Sequence, residues 1–270
     1  PDLILCSEWG AIRFFENTGD SFTEITETVS NPAVKGWWYS LTVDDLDNDG
    51  DLDLVAGNLG LNNKFHPKPE KPLHIYMNDF DGNGSNDIVL AKYSKNDCVP
   101  VRGRECSSDQ MPFIKDKFPT FSQFANADLT TIYGADKLEA ATHLQATEFA
   151  SMVLINQDGK FSYQPLPKMA QFSPVNGCVV QDVNGDGHKD IITVGNMYGA
   201  EVETSRYDAS VGAILLGDGK MNFEAMPVAE SGFFAPHDAK QLSAIRLAGQ
   251  KTGLVVANCN GPLQIIGIEK

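Results

Sequence analysis

Apolar residues along this chain fall in short runs separated by turn-forming ones, and five of the runs resemble one another. They read "DLILCSEWG" from residue 2, "DLVAGNLG" from 53, "DIVLAKYS" from 87, "DIITVGNMYG" from 190 and "GLVVANCNG" from 253. The first four open with Asp, continue with β-branched or leucyl residues and end in small or turn-forming ones. That is strand composition, in runs too short for helices. The stretches "AIRFFENTGDSFTEIT", "SMVLINQDGKFSY" and "GAILLGDGKMNFEAM" each place an Asn/Asp/Gly turn between two apolar halves, the second entered near a Phe. They predict hairpins, and "LHIYMND" predicts a further strand.

The repeat starts are spaced unevenly, and the widest gap, between 87 and 190, holds a segment of different character. Within residues 94–147, "SDQMPFIKDKF" and "TTIYGADKLEAATHLQATEFA" have helix-forming composition with Ser, Asp or Thr at their starts. Removing about 50 residues brings that gap to the size of the others, a repeat length typical of propeller blades. The expected organisation is therefore propeller blades over 1–93, a mainly helical insertion over 94–147, and further blades over 148–270. All-β units of this size, each of about four strands, predict a β-propeller of four-stranded blades, with about four to five blades in this chain. A β-sandwich does not account for a repeated acidic loop before the same strand. Asp2 aligns with the end of that loop, whose earlier part is missing, so the chain is expected to begin inside a blade and to be a piece of a larger propeller.

Charge changes the picture more than overall composition does. The chain has 270 residues, 42% of them apolar and 21% charged, which is ordinary for a globular protein. The formal net charge of −15 argues against nucleic-acid binding, because phosphates would be repelled. Twelve of the 36 acidic residues crowd into residues 44–53, 79–87 and 182–190, so a cation is expected there. No apolar run approaches the ~20 residues of a membrane span. No signal peptide is visible, and the start at Pro1 without Met predicts a processed or cut form. Of the five cysteines, none forms a CxxC pair, which excludes zinc-ribbon and thioredoxin-type motifs. Cys98 and Cys106 flank "VPVRGRE" and fit either a loop-closing disulfide or two thiols, whereas Cys6, Cys178 and Cys259 sit in or beside apolar runs and read as thiols.

Aligned on the strand start, the three acidic loops share the form D-x-[DN]-x-[DN]-G-x-x-D. The first is Asp45, Asp47, Asp49, Gly50, Asp51, Asp53; the second Asp79, Asp81, Asn83, Gly84, Ser85, Asp87; the third Asp182, Asn184, Asp186, Gly187, His188, Asp190. Oxygen-bearing side chains at positions 1, 3 and 5 converge when such a loop coils tightly, and Gly at 6 permits the turn. Position 7 can offer its backbone carbonyl, and the Asp at 9 closes the shell. All-oxygen donors favour calcium over zinc or copper, so about three Ca²⁺ sites are expected. An EF-hand would need Glu at position 12 and flanking helices, but position 12 is Ala56, Leu90 or Thr193, inside a predicted strand. In the fifth unit Ile245, Leu247, Gly249 and Gly253 replace the ligands, and no calcium is expected there. The alternative to a metal site is an acidic β-turn, since Asp, Asn and Gly are turn residues in any case.

These loops, followed by "DLVAG" and "DIITVG", resemble FG-GAP/VCBS repeats, the calcium-binding blades of integrin α-subunit propellers and of many bacterial surface proteins. "GWWYSLTVDDLDNDGDLDLVAGNLGLNNKF", "QMPFIKDKFPTF", "QFSPV" and "RYDAS…LLGDG" resemble the C-terminal propeller region of bacterial ASPIC/UnbV-associated proteins. The resemblance extends over nearly the whole chain. It implies export to the periplasm, the outer-membrane surface or the cell exterior, and says little about activity.

The chain shows no catalytic constellation. His66, His74, His143, His188 and His237 form no HExxH or other metal spacing, and no GxSxG elbow or Walker loop is present. Trp37, Trp38 and Tyr39 before the first loop, with Arg102, Arg104, Arg206 and Tyr207, could form a surface for a sugar or peptide. The competing reading packs the Trp pair between blades and pairs Arg206 with a loop carboxylate. The sequence thus predicts a calcium-stabilised binding or scaffold module recognising a glycan or protein at the cell surface. Its rival is a calcium-dependent polysaccharide lyase or other glycan-active enzyme, which needs a basic cleft of converging Arg, Lys, His or Tyr and would be favoured by a cluster of Arg102, Arg104 and Arg206.

Overall fold

The computed structural model describes residues 1–268. Antiparallel strands dominate, and two compact units emerge, Pro1–Lys64 with Phe149–Lys270 and, inserted between them in sequence, Phe65–Glu148. No helix among the described residues is long and apolar enough to cross a membrane.

The discontinuous unit contains a succession of sheets. The first joins Leu3–Leu5, Arg13–Asn17 and Phe22–Glu24, accompanied by a two-stranded ribbon of Glu8–Ala11 with Lys35–Trp37. The second orders Lys160–Pro165, Met152–Gln157, Asp53–Gly57 and Ser40–Asp44. The third orders Val175–Gln181, Asp190–Gly195, Ala213–Gly217 and Phe223–Ala225, and the fourth Ala239–Arg246, Thr252–Asn258 and Gln264–Gly267. All three predicted hairpins form, because their Asn-, Asp- and Gly-rich turns allow the chain to reverse between apolar halves.

Three apolar clusters alternate with these sheets. Leu54, Ala56, Met152 and Leu154 pack with Phe14 and Trp38 of the first sheet's neighbourhood. Val55 and Val153, one position along the same strands, point the other way and meet Cys178, Ile191 and Leu215 of the third sheet. Ile192, Val194 and Ile214 then face Leu242, Leu254 and Val256 of the fourth. Side chains alternate across a strand, so a sheet covered on both faces needs apolar residues at every position. This explains why apolar residues fill both faces of "DLVAG" and "DIITVG", which are buried along their whole length.

The sheets approach closely where their strands carry glycine. A Cβ on Gly57 would lie 2.1 Å from the Val175 carbonyl oxygen, and one on Gly177 would lie 2.5 Å from the Leu242 amide nitrogen. Ser40 and Thr42 donate their hydroxyls to the Val175 and Cys178 carbonyls at 2.9 and 3.0 Å, fastening the second sheet to the third.

The inserted unit is one four-stranded sheet, ordered Asp97–Pro100, Asp87–Ser94, Leu73–Asn78 and Thr142–Ala146. Five short helices between Arg104 and Glu139 cover one face, and Met111, Ile114, Phe124 and Ile132 bury Phe80, Val89 and Ala91. Helical composition alone points to residues 94–147, but the compact unit starts at Phe65. The second acidic loop and its two strands belong to this unit. The interruption falls inside the second sheet, between Asp53–Gly57 and its neighbour Met152–Gln157. No disulfide joins the described residues; Cys98 lies on a strand and Cys106 in the helix Arg104–Gln110.

Candidate metal loops and ligand surface

Each acidic loop closes a hairpin between adjacent strands. Asp44 pairs with Asp53, Asn78 with Asp87 and Gln181 with Asp190, so the position-9 Asp is the first paired residue of the returning strand. Four hydrogen bonds recur in all three loops. The position-6 Gly amide donates to the second oxygen of the position-1 Asp: Gly50 to Asp45 at 3.1 Å, Gly84 to Asp79 at 2.9 Å, Gly187 to Asp182 at 3.3 Å. Position 5 donates its amide to the side chain at 3: Asp49 to Asp47, Asn83 to Asp81, Asp186 to Asn184. Position 7 donates to the side chain at 5: Asp51 to Asp49, Ser85 to Asn83, His188 to Asp186. Position 2 donates to the Asp at 9: Leu46 to Asp53, Phe80 to Asp87, Val183 to Asp190. Gly50, Gly84 and Gly187 hold positive φ of 99°, 87° and 89°, a backbone region that L side chains rarely adopt.

The repulsion expected among these carboxylates is thus partly offset by the loop's own amides. Hydrogen bonds, first from Gly84 N–H, hold Asp79 below the usual carboxylate range, and the His188 amide does the same for Asp186. Burial acts the other way on Asp53, Asp87 and Asp190 and raises each. Burial, with the neighbouring Asp49 charge, also raises Asp47.

The donor set fits a hard divalent cation. Carboxylate oxygens of Asp45, Asp47 and Asp49 lie within 4.8 Å of one another, as do those of Asp79, Asp81 and Asp87. The Asp51 carboxylate accepts from the Asp158 amide at 3.1 Å, which leaves its backbone carbonyl as the group position 7 can contribute. The third loop substitutes Asn184 for one carboxylate and keeps the same bonds. Lys189, at its position 8, forms an ion pair with Asp44 at 3.0 Å and ties the first and third loops together. The turn at 245–253 has none of this chemistry. The Leu247 side chain covers Gly253, where an added Cβ would meet it at 2.8 Å.

The position-9 residues do more than close a shell. Asp53 and Asp190 are 1% and 0% exposed, and their remaining oxygens accept amides from the third strand of their sheets, Asn156 and Gly217, each at 2.9 Å. Asp87 has no such strand beside it; its second oxygen lies 3.4 Å from the Gln110 side-chain amide. Two further features escape the loop pattern. Position 2 is apolar in every copy, and Leu46 and Phe80 plug the core beneath their loops. Asn58 and Asn196, one residue beyond the Asp53 and Asp190 strands, are fully buried. Asn58 accepts the Trp37 and Leu59 amides, and Asn196 donates to the Ser210, Pro236 and His237 carbonyls. The recurrence of Asn after "VAG" and "TVG" is the sequence signal for this role.

Among the residues expected on a ligand surface, Tyr39 and Tyr207 lie near enough to interact electrostatically, and the others take separate roles. Trp38 is a core residue, 2% exposed, with its indole N–H donated to the Gly10 carbonyl at 3.1 Å. Trp37 packs against Trp9 and Phe149, ring centroids 4.9 Å away in both cases. Burial, with the nearby Glu8 carboxylate, pushes the Tyr39 hydroxyl upward. Arg104 caps helical carbonyls, donating Nε to the Phe118 carbonyl at 2.6 Å, and lies over the Phe121 ring. Arg102 and Arg104 belong to the inserted unit and Arg206 to the other. Arg206 lies 4.1 Å over the Tyr198 ring, pairs with Asp208 at 3.1 Å, and with Tyr207 lines a cavity of ≈ 300 Å³. Asn62 joins that polar cavity to a largely apolar one of ≈ 770 Å³ bounded by Leu61, Leu166 and Phe172.

No curated protein matches the chain. Residues 1–56, which carry the first sheet, the first acidic loop and the opening of the Asp53 strand, match the family model of an FG-GAP-like repeat.

Proposed function

We propose that this chain is a calcium-stabilised, β-propeller-type binding module that works outside the cytoplasm and recognises a glycan. The observation that carries the metal reading is the recurrence of the same four hydrogen bonds in three loops. A loop that only turned the chain would have no need to gather its carboxylates to within 4.8 Å. Asp45, Asp47, Asp49 and the Asp51 carbonyl would hold one ion, with Asp53 behind them. Asp79, Asp81, Asn83, the Ser85 carbonyl and Asp87 would hold a second. Asp182, Asn184, Asp186, the His188 carbonyl and Asp190 would hold a third. The ion supplies charge compensation and fixes the hairpin entry. Blades in face-packed succession, with glycine-mediated contacts between sheets, support the propeller reading.

Extracellular calcium modules bind at about 10⁻⁴–10⁻³ M, so roughly millimolar calcium adds up to about 1.4 kcal/mol per site. Thermal unfolding in millimolar CaCl₂ should therefore occur several degrees above that in EDTA, and Asp45→Asn with Asp47→Asn should remove part of the difference. Coincident melting curves would refute the metal reading. The glycan reading rests on the cavity of Asn62, Asn63, Thr204, Ser205, Arg206 and Tyr207, with the charged Lys64 and Glu203 also in its lining; its amides and hydroxyls suit a hydroxylated ligand. Binding on a glycan array that Arg206→Ala weakens is the expected result; an array without a single hit would refute it.

A further inference from the structure

The inserted unit contains a cavity that the metal loops and the glycan reading do not use. It lies between the helix-covered sheet face and the segments Asp128–Thr130 and Ala135–Glu139, with a volume of ≈ 550 Å³, the size of a small-molecule site. The strand register puts His74, Tyr76, Tyr93 and His143 on the same face as Val89 and Ala91, which the helices bury. Four aromatic rings therefore form one wall. His143 stacks on Tyr76 with centroids 4.3 Å apart and planes 2° apart.

The two imidazoles meet edge to edge, His74 Nδ1 lying 2.9 Å from His143 Nε2. One ring must donate and the other accept, so the accepting ring is neutral. Burial, and then the neighbouring His143, lowers the His74 pKa to about 4, which keeps it uncharged at neutral pH. His74 is 7% exposed, and its Nε2 meets no hydrogen-bond partner in the protein. In the tautomer that donates from Nδ1, Nε2 presents a lone pair and calls for a donor.

Charge narrows the choice of ligand. Asp97, Asp128 and Glu139 stand at the exposed rim, and no Lys or Arg lines the cavity. Lys71, which reaches Asn96 at 3.3 Å, is also engaged by the Lys95 carbonyl. Three acidic side chains at the rim with no Lys or Arg among the lining residues, aromatic faces and an acceptor lone pair together suit an ammonium group, which offers positive charge and N–H donors at once. We propose that this cavity binds an organic amine, its ammonium held by the Asp128 and Glu139 carboxylates and its chain lying along the Tyr76 and Tyr93 rings.

The test is calorimetric titration of the whole chain with putrescine and with 1,4-butanediol, in roughly 10 mM CaCl₂ to occupy the acidic loops. Putrescine should bind one to one, and the diol should not. Asp128→Asn with Glu139→Gln should weaken putrescine at least tenfold; Asn at 128 can still cap the helix Leu129–Tyr133. Tyr93→Leu, which leaves every carboxylate in place, should weaken it about threefold, through loss of the ring face along which the alkyl chain lies. Failure to bind at millimolar putrescine, equal affinity for the diol, or unchanged affinity in both variants would overturn the proposal. Because calcium is present throughout, loss of amine binding is distinguishable from loss of the metal loops.

Discussion

The two units carry the same acidic loop in different surroundings. In the succession of sheets, Asp53 and Asp190 are buried and each ties its hairpin to a third strand through a second amide. In the inserted unit, Asp87 holds its own hairpin through Phe80 but meets a Gln110 side chain where the third-strand amide would be. The loop is thus a property of the hairpin alone. Its integration into the sheet depends on what the fold places beside position 9.

That difference sets the largest expected effect. Asp190→Ala strands two amides, the half-buried Val183 and the buried Gly217, and should cost about 2–5 kcal/mol in urea unfolding. Asp87→Ala strands one, so about 1–3 kcal/mol is expected. Equal losses in the two variants would break the comparison.

The inserted unit should also differ in its response to acid. The folded pKa of His74 lies below the ordinary 6.5, so the unfolded chain takes up its proton first. Stability contributed by keeping His74 neutral is fully present above about pH 6.5 and is lost as pH falls toward about 4. The loss reaches at most about 3 kcal/mol. Subtracting the pH profile of His74→Phe from that of the parent chain isolates this component; a flat difference between pH 6.5 and 4 would contradict it.

The smallest effect concerns the turn that lacks the loop chemistry. Leu247 is half-buried over Gly253, and Leu247→Ala should cost about 1–2 kcal/mol. The cost should be the same in EDTA and in calcium. A calcium-dependent cost would mean that this turn also holds metal.

Much of this architecture was readable from residue patterns, and the exceptions share a cause. The loop spacing, the strands behind it and the hairpin turns are local, and local chemistry determines them. Between Asp190 and Gly195, Ile191, Ile192 and Val194 are apolar on both faces because sheets cover both, and that shows in the residues. The boundary at Phe65 does not show, because Asp79–Asp87 looks like any other copy and only pairing across the chain assigns it to a separate unit. Residue type leaves Trp38 open to a ligand or a packing role, because exposure cannot be read from aromatic content, and the fold buries it. The His74–His143 pair joins residues 69 positions apart, with no motif linking them.

The interrupted second sheet has a consequence for how the chain is made. Leu54 pairs with Leu154, so this strand waits for a neighbour that leaves the ribosome only after the whole intervening unit. The Gly60 amide donates to the Phe149 carbonyl at 2.8 Å, which shows that the two ends of the excursion meet. If the inserted unit condenses first, a closure spanning roughly 90 residues becomes one spanning a few. Because loop entropy grows with the logarithm of length, that saves about 2–3 kcal/mol. The excursion then acts during synthesis as a clasp that brings the late strand to the waiting one.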